Sequence, residues 1–171
     1  MWSVFFLIHV GRGKRQASLD AQEGEETISQ LANMADSLPF MVRTTAAPSF
    51  RRIKWEQQNP EEAPPKNELG VTDGSGMCFI SHTGNVYPSG FLPINVGNVS
   101  TQNIVDIYRK EPLMASLKKR DTYHGRCGKC EYKWLCGGSR ARAYAQSGDP
   151  LGQDPLCPYM PKGDDLSNSS N

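Results

Sequence analysis

The sequence predicts an α+β chain built in two parts. Three observations lead to this. The first fifty residues spell strand, helix, strand; a hairpin and two short helices follow a polar break; and a glycine-rich cysteine loop comes last.

Each element has a physical reason. Trp2 to Val10 (WSVFFLIHV) is rich in Val, Phe and Ile and ends at glycines, which suits a strand buried on both faces, as in a parallel sheet. Ile28, Leu31, Ala32, Ala35 and Leu38 recur at helical spacing, with Glu25 and Glu26 in the first turn and Pro39 as the stop. Phe40 to Thr45 reads as a second strand. From Asn59 to Gly76 the composition turns to Pro, Glu, Lys and Gly, which hydrates well and packs poorly. Met77 to Tyr87 places two apolar runs around Thr83-Gly84-Asn85, the chemistry of a hairpin. Ser100 is suited to cap a helix carrying Ile104, Ile107 and Tyr108, and Pro112 to open a second one. Both helices are expected to pack on the hairpin. A helix-prone stretch, Ser139 to Gln146, follows the cysteine loop, and residues 162–171 read as a frayed polar end. No internal repeat is present.

Composition excludes several classes of function. Nineteen basic and eighteen acidic side chains leave a net charge of +1, too little to gather nucleic acid or an anionic membrane. The apolar opening is half the roughly 20 residues a spanning helix needs, and it lacks the preceding basic residues of an export signal. A cytoplasmic protein is expected. With 37% hydrophobic residues, the core should be thin.

All five cysteines lie at or after Cys78, and four form the pattern C-x2-C-x5-C-x20-C: Cys127, Cys130, Cys136 and Cys157. Without an export signal, such clustering reads as metal ligation before disulfide. A [4Fe-4S] cube needs four converging thiolates and close approach of backbone N–H groups, which Gly128, Gly137 and Gly138 permit. Arg126, Lys129, Lys133, Arg140 and Arg142 supply positive charge for an anionic cluster, or are ordinary solvated cations. Structural zinc is the competing reading, although zinc ribbons present two short knuckles where this chain has one.

These residues resemble the SPASM auxiliary-cluster domain that follows the barrel in many radical S-adenosylmethionine (SAM) enzymes. The resemblance runs from about Gly76 to Pro158 and includes Cys78, Gly84-Asn85-Val86-Tyr87-Pro88, Gly97-Asn98-Val99, the run from Cys136 to Ala145, Gly148-Asp149 and Cys157. Residues 2–53 are similar to the closing strands and helix of the radical SAM partial barrel. The resemblance implies four segments: a barrel remnant (1–53), a linker (54–76), a SPASM-like domain (77–160) and a disordered tail (161–171). The CGGSRARAYA run and Ser81-His82-Thr83-Gly84 are similar to the subgroup that modifies haem and matures cofactors, so a peptide or tetrapyrrole-like substrate and an electron donor are implied.

Where the fullest family pattern has two further cysteines, this chain has Ser89 and Arg140. Both belong to the first auxiliary cluster, so one [4Fe-4S] cluster is implied. Cys78 is left over, either a small buried hydrophobe or a substitute ligand. No cysteine precedes it, so the C-x3-C-x2-C motif that chelates SAM is missing, and the chain reads as the C-terminal fragment of a longer enzyme, not competent alone. SAM and a second [4Fe-4S] cluster belong to the missing N-terminal barrel half. Arg12, at the end of a barrel strand, would contact SAM or substrate there, or else stabilise a turn. His9, His82 and His124 lack partners at metal spacing. Gly11 and Gly13 lack the rest of a phosphate loop.

Overall fold

A computed structural model describes residues 1–11, 13, 16–66 and 70–162. The expected fraying of the polar end falls almost entirely outside these, as does Arg12. Strand β1 (Trp2–Phe5) and strand β2 (Val42–Thr45) form a two-stranded parallel sheet, Trp2 opposite Val42 and Phe5 opposite Thr45. Helix α1 (Ala21–Ala35) makes the crossover that a parallel pair requires. β1 is shorter than expected and is not buried on both faces: Phe5 is 68% exposed and Trp2 43%. Among the described residues the sheet has only two strands, so the outer edge of β1 is unpaired as well.

α1 begins earlier than its apolar spacing suggests. Asp20 caps it, its carboxylate accepting from Glu23 N at 2.8 Å, while Glu23 accepts from Asp20 N at 2.9 Å. That reciprocal box satisfies two amides the helix cannot pair internally, and it moves Glu25 and Glu26 beyond the first turn. Helix α2 (Ser49–Gln58) follows Pro48 and packs on α1. Its sequence carries little apolar periodicity, and its docking rests partly on polar contacts: Arg52 pairs with Glu25, Lys54 with Asp36, and Gln57 donates to Asn33 at 2.9 Å.

The second half opens with β3 (Phe79–Ile80), β4 (Asn85–Tyr87) and β5 (Gly97–Asn98) in an antiparallel sheet. The hairpin forms as its turn chemistry requires, but Gly97-Asn98 adds a third strand where only a turn was expected. Helix α3 (Ile104–Lys110) is capped by Asn103, whose side chain accepts from Val105 N at 2.8 Å. Ser100 instead donates its own N–H to Asn98 within the preceding turn, at 2.8 Å. Pro112 does open helix α4 (Pro112–Lys118), behind a Glu111 cap. Both helices bury against the hairpin through Val86, Ile107 and Met114. Helices α5 (Gly125–Lys129) and α6 (Arg140–Ser147) then flank the cysteine loop.

The core is thin, divided among four small clusters. Two of them bridge the halves of the chain: Leu156 packs with Phe6, Ile28, Leu31 and Ile53, and Ile8 packs with Leu92, Leu117 and Ala141.

Leu156 reaches α1 because position 24 has no side chain. A Cβ on Gly24 would lie 2.7 Å from Leu156 Cγ. Alanine is worth about 1 kcal/mol over glycine inside a helix, whereas overpacking costs about 1–3 kcal/mol. Gly24→Ala should therefore lower the urea midpoint at unchanged slope, against its helix propensity; a raised midpoint would show that Leu156 yields freely.

Candidate metal centre

The cysteine loop folds through glycines in the left-handed region. Cys127 sits on α5, Cys130 directly follows it, and Cys136 precedes Gly137 and Gly138, at φ 71° and 64°. Ser139 then caps α6, accepting from Arg142 N at 3.2 Å. The chain returns past α6 through Asp154 to Cys157. Cys127, Cys130, Cys136 and Cys157 all line one cavity, and none is in a disulfide. Gly138 forms part of its wall, where a Cβ would lie 3.0 Å from Cys127 Sγ and 2.4 Å from Arg140 Nη2.

Backbone amides bear on every sulfur. Gly138 N donates to Cys136 Sγ at 3.4 Å, and the amides of Tyr132 and Tyr159 bond Cys130 and Cys157 in the same two-residues-on relation. Cys127 Sγ accepts from Asp154 N and from Arg140 Nη2, both at 3.4 Å. Burial nevertheless pushes the Cys130 and Cys136 thiols up to about 12 and Cys157 up to about 11. These three thiols keep their protons at neutral pH, and a bound metal would have to expel them.

Among the described residues, no three His, Cys, Asp or Glu side chains stand at the spacing of ligands to a single ion. The four sulfurs line one cavity, and four thiolates are a donor set that both tetrahedral zinc and an inorganic cube take.

One carboxylate organises the surroundings. Asp154 is 3% exposed and accepts from Ser139 N at 2.7 Å, Leu156 N at 3.1 Å and Arg142 Nη1 at 3.1 Å. Arg142 continues to Ala46 O, just after β2. The cysteine loop, the return segment and the N-terminal sheet thus meet at one ion pair.

The cations around the cavity divide into two groups. Arg52 lines it, paired with Glu25 and Glu56 and 4.8 Å above the Tyr159 ring. Arg51 donates through Nε to Leu135 O at 2.8 Å, and burial lowers its pKa. Arg126 and Lys133 lie on the cavity wall. Arg120 and Arg140 are fully buried, both against Tyr123, with guanidinium carbons 5.3 and 4.5 Å from its ring centroid. Neither has a carboxylate partner among the described residues, and Arg120 Nε has no hydrogen-bond partner at all.

The loop cations Arg126, Lys133, Arg140 and Arg142 were legible in the sequence. Arg51, Arg52, Arg120 and Asp154 were not, since they come from other elements; Asp154, three residues before the last cysteine, was the nearest to a signal. Tyr132 lines the cavity edge-on to Tyr159, with ring centroids 5.4 Å apart. Cys78 lies elsewhere, half-buried against Val86 and Met114. Ser89 is 3% exposed and its hydroxyl accepts from Phe91 N and Leu92 N, closing a turn. His9 bonds Gln16 O at 3.1 Å, away from any cysteine.

Comparison with known proteins agrees with this arrangement. Residues 72–131 match the model of SPASM, described as an iron-sulfur cluster-binding domain; Cys136 and Cys157 lie past the matched stretch. The chain is 36% identical to the AdoMet-dependent heme synthase of Nitratidesulfovibrio vulgaris, across 94% of its own length and 47% of that protein. Identity to the Methanosarcina barkeri protein of the same name is 34%, across 94% of the chain and 48% of the relative. A pre-heme d1 synthase of Dinoroseobacter shibae is 25% identical, across 88% and 43%. The chain spans about half the length of these relatives, and its expected kinship with SPASM-bearing radical SAM proteins is met. No helix among the described residues is long and apolar enough to cross a membrane.

Removing one member of a buried ion pair strands the other charge, at a cost of roughly 3–5 kcal/mol. Asp154→Ala should therefore destabilise the chain by that order in chemical denaturation, and far more than Asp106→Ala, which breaks the exposed pair with Lys110. Equal effects of the two substitutions would remove Asp154 from its organising role.

Proposed function

We propose that Cys127, Cys130, Cys136 and Cys157 hold one [4Fe-4S] cluster, as the auxiliary-cluster part of a radical SAM enzyme acting on a tetrapyrrole-type cofactor precursor. The observation that carries the reading is the single cavity lined by four sulfurs from two chain segments. The donor set fits the group: four thiols, an amide on each sulfur, and buried guanidiniums with no carboxylate to balance them. A bound cube would supply one-electron chemistry.

The chain's own residues hold that cube and keep water from it. Tyr132 and Tyr159 cover one side of the cavity, and the Asp154–Arg142 pair fixes the return segment that brings in Cys157. Ser89 and Arg140, standing where a second set of ligands would lie, serve as a turn cap and as a donor to sulfur, which supports a single cluster. The radical-generating motif and SAM belong to an N-terminal half. The unpaired outer edge of β1, and its exposed Phe5 and Trp2 on faces that parallel strands normally have covered, support its docking there. Arg12, which lies outside the described residues, is the further residue proposed to contact SAM or substrate in the full enzyme. The names of the relatives favour a tetrapyrrole over a peptide as substrate.

Anaerobic purification with iron and sulfide should yield brown protein with broad visible absorbance and about four irons per chain. Cys130→Ser and Cys157→Ser should each abolish stoichiometric iron while Cys78→Ser keeps it. Colourless protein with one zinc per chain would overturn the cluster, and iron loss in the Cys78 variant would overturn the ligand assignment.

A further inference from the structure

The cysteine cavity is backed by two buried guanidiniums that form no ion pair among the described residues; Asp73, which accepts from Ala141 N at 3.0 Å, also bears on the Tyr123 beside them. Arg120 and Arg140 are each 0% exposed and have no carboxylate within ion-pairing distance. Their hydrogen bonds go to neutral groups. Arg140 donates through Nε to Gly138 O at 3.3 Å and through Nη1 to Pro150 O at 3.3 Å and Gly152 O, while Arg120 donates to Thr72 Oγ1 at 3.0 Å and to the Tyr123 hydroxyl. Tyr123 contacts both guanidiniums, and its hydroxyl donates on to Leu117 O at 2.8 Å. An aromatic face attracts a cation, but it does not cancel two buried like charges.

Two further contacts aim this charge at the cysteines. The third arm of Arg140, Nη2, donates to Cys127 Sγ at 3.4 Å. Arg120 lies behind Gly137, where a Cβ would come within 2.7 Å of Nη1, so the glycine after Cys136 lets the guanidinium close on the loop.

We propose that Arg140, backed by Arg120 at the same Tyr123 ring, sets the reduction potential of the bound cluster through its hydrogen bond to Cys127 Sγ. The inference rests on the cluster reading above. A four-thiolate cube carries about two negative charges when oxidised and gains a third when it accepts one electron, with no bond made or broken and no proton moved. A buried cation bonded to a ligand sulfur favours the more negative state, so it raises the potential and makes the cluster easier to reduce by a low-potential one-electron donor. Arg140 acts through Cys127 and touches neither substrate nor SAM; it is a positioning residue.

The test uses the full chain, reconstituted anaerobically, with iron counted per chain and the midpoint read by an EPR-monitored titration with dithionite. Arg140→Gln should keep its iron but lower the midpoint. At a fixed ambient potential the ratio of reduced to oxidised cluster should fall about tenfold or more, equivalent to about 59 mV for a one-electron couple. Arg140→Lys, which retains the charge but loses the forked donor, should fall between that variant and the wild type. Arg126→Gln, at the more solvated rim, should shift the ratio less than Arg140→Gln. An iron-loaded Arg140→Gln protein with an unmoved midpoint overturns the proposal. Should Arg140→Gln fail to load, Arg140→Lys decides by the same reading, and loss of iron from both variants makes Arg140 a folding residue and overturns it too. Wild-type protein that holds no cluster sinks the functional reading instead, so the two failures are distinct.

Discussion

The geometry of the cysteine cavity depends on a buried carboxylate. Asp154 joins the amide that opens α6, the amide of Leu156 and the guanidinium of Arg142, while its own N–H points at Cys127 Sγ. Each bond tethers a different piece of chain. The first fixes the exit of the cysteine loop, the second the approach to Cys157, and the third reaches Ala46 beside the N-terminal sheet. A charge taken out of water holds its place only when its partners are well aligned, which makes this junction sensitive to small displacements.

Around that junction the protein concentrates positive charge where it has little apolar material to spare. The four core clusters are small, and the last contains Cys136 itself beside Tyr132 and Leu135. Burying arginines next to such a core is unfavourable unless an anion completes the site. Free thiols do not provide one, because burial keeps at least three of the four protonated. A bound anionic metal centre would complement that charge, and its assembly would be coupled to release of protons from sulfur.

The N-terminal unit is tied into the same structure. Leu156 inserts over Gly24 into the core beneath β1 and β2, and Ile8 joins Leu117 and Ala141. The segment that carries Cys157 thus leans on the sheet whose outer edge is bare.

Much of this was written in residue types and spacing. The four-cysteine pattern, the crossover helix, the Pro112 start of α4 and the hairpin turn at Gly84 follow from local chemistry, since each depends on residues near in sequence. α2 was not legible, because its few apolar positions gain meaning only against α1. The cap at Asn103, the third strand at Gly97 and the bare face of β1 depend likewise on neighbours that sequence does not display. Spacing by itself determined which sulfurs belong together. Only the tertiary structure decided what surrounds them, because Arg52 reaches the cavity from α2, Arg120 stands behind Gly137, and electrostatics at a buried site is set by distance through space.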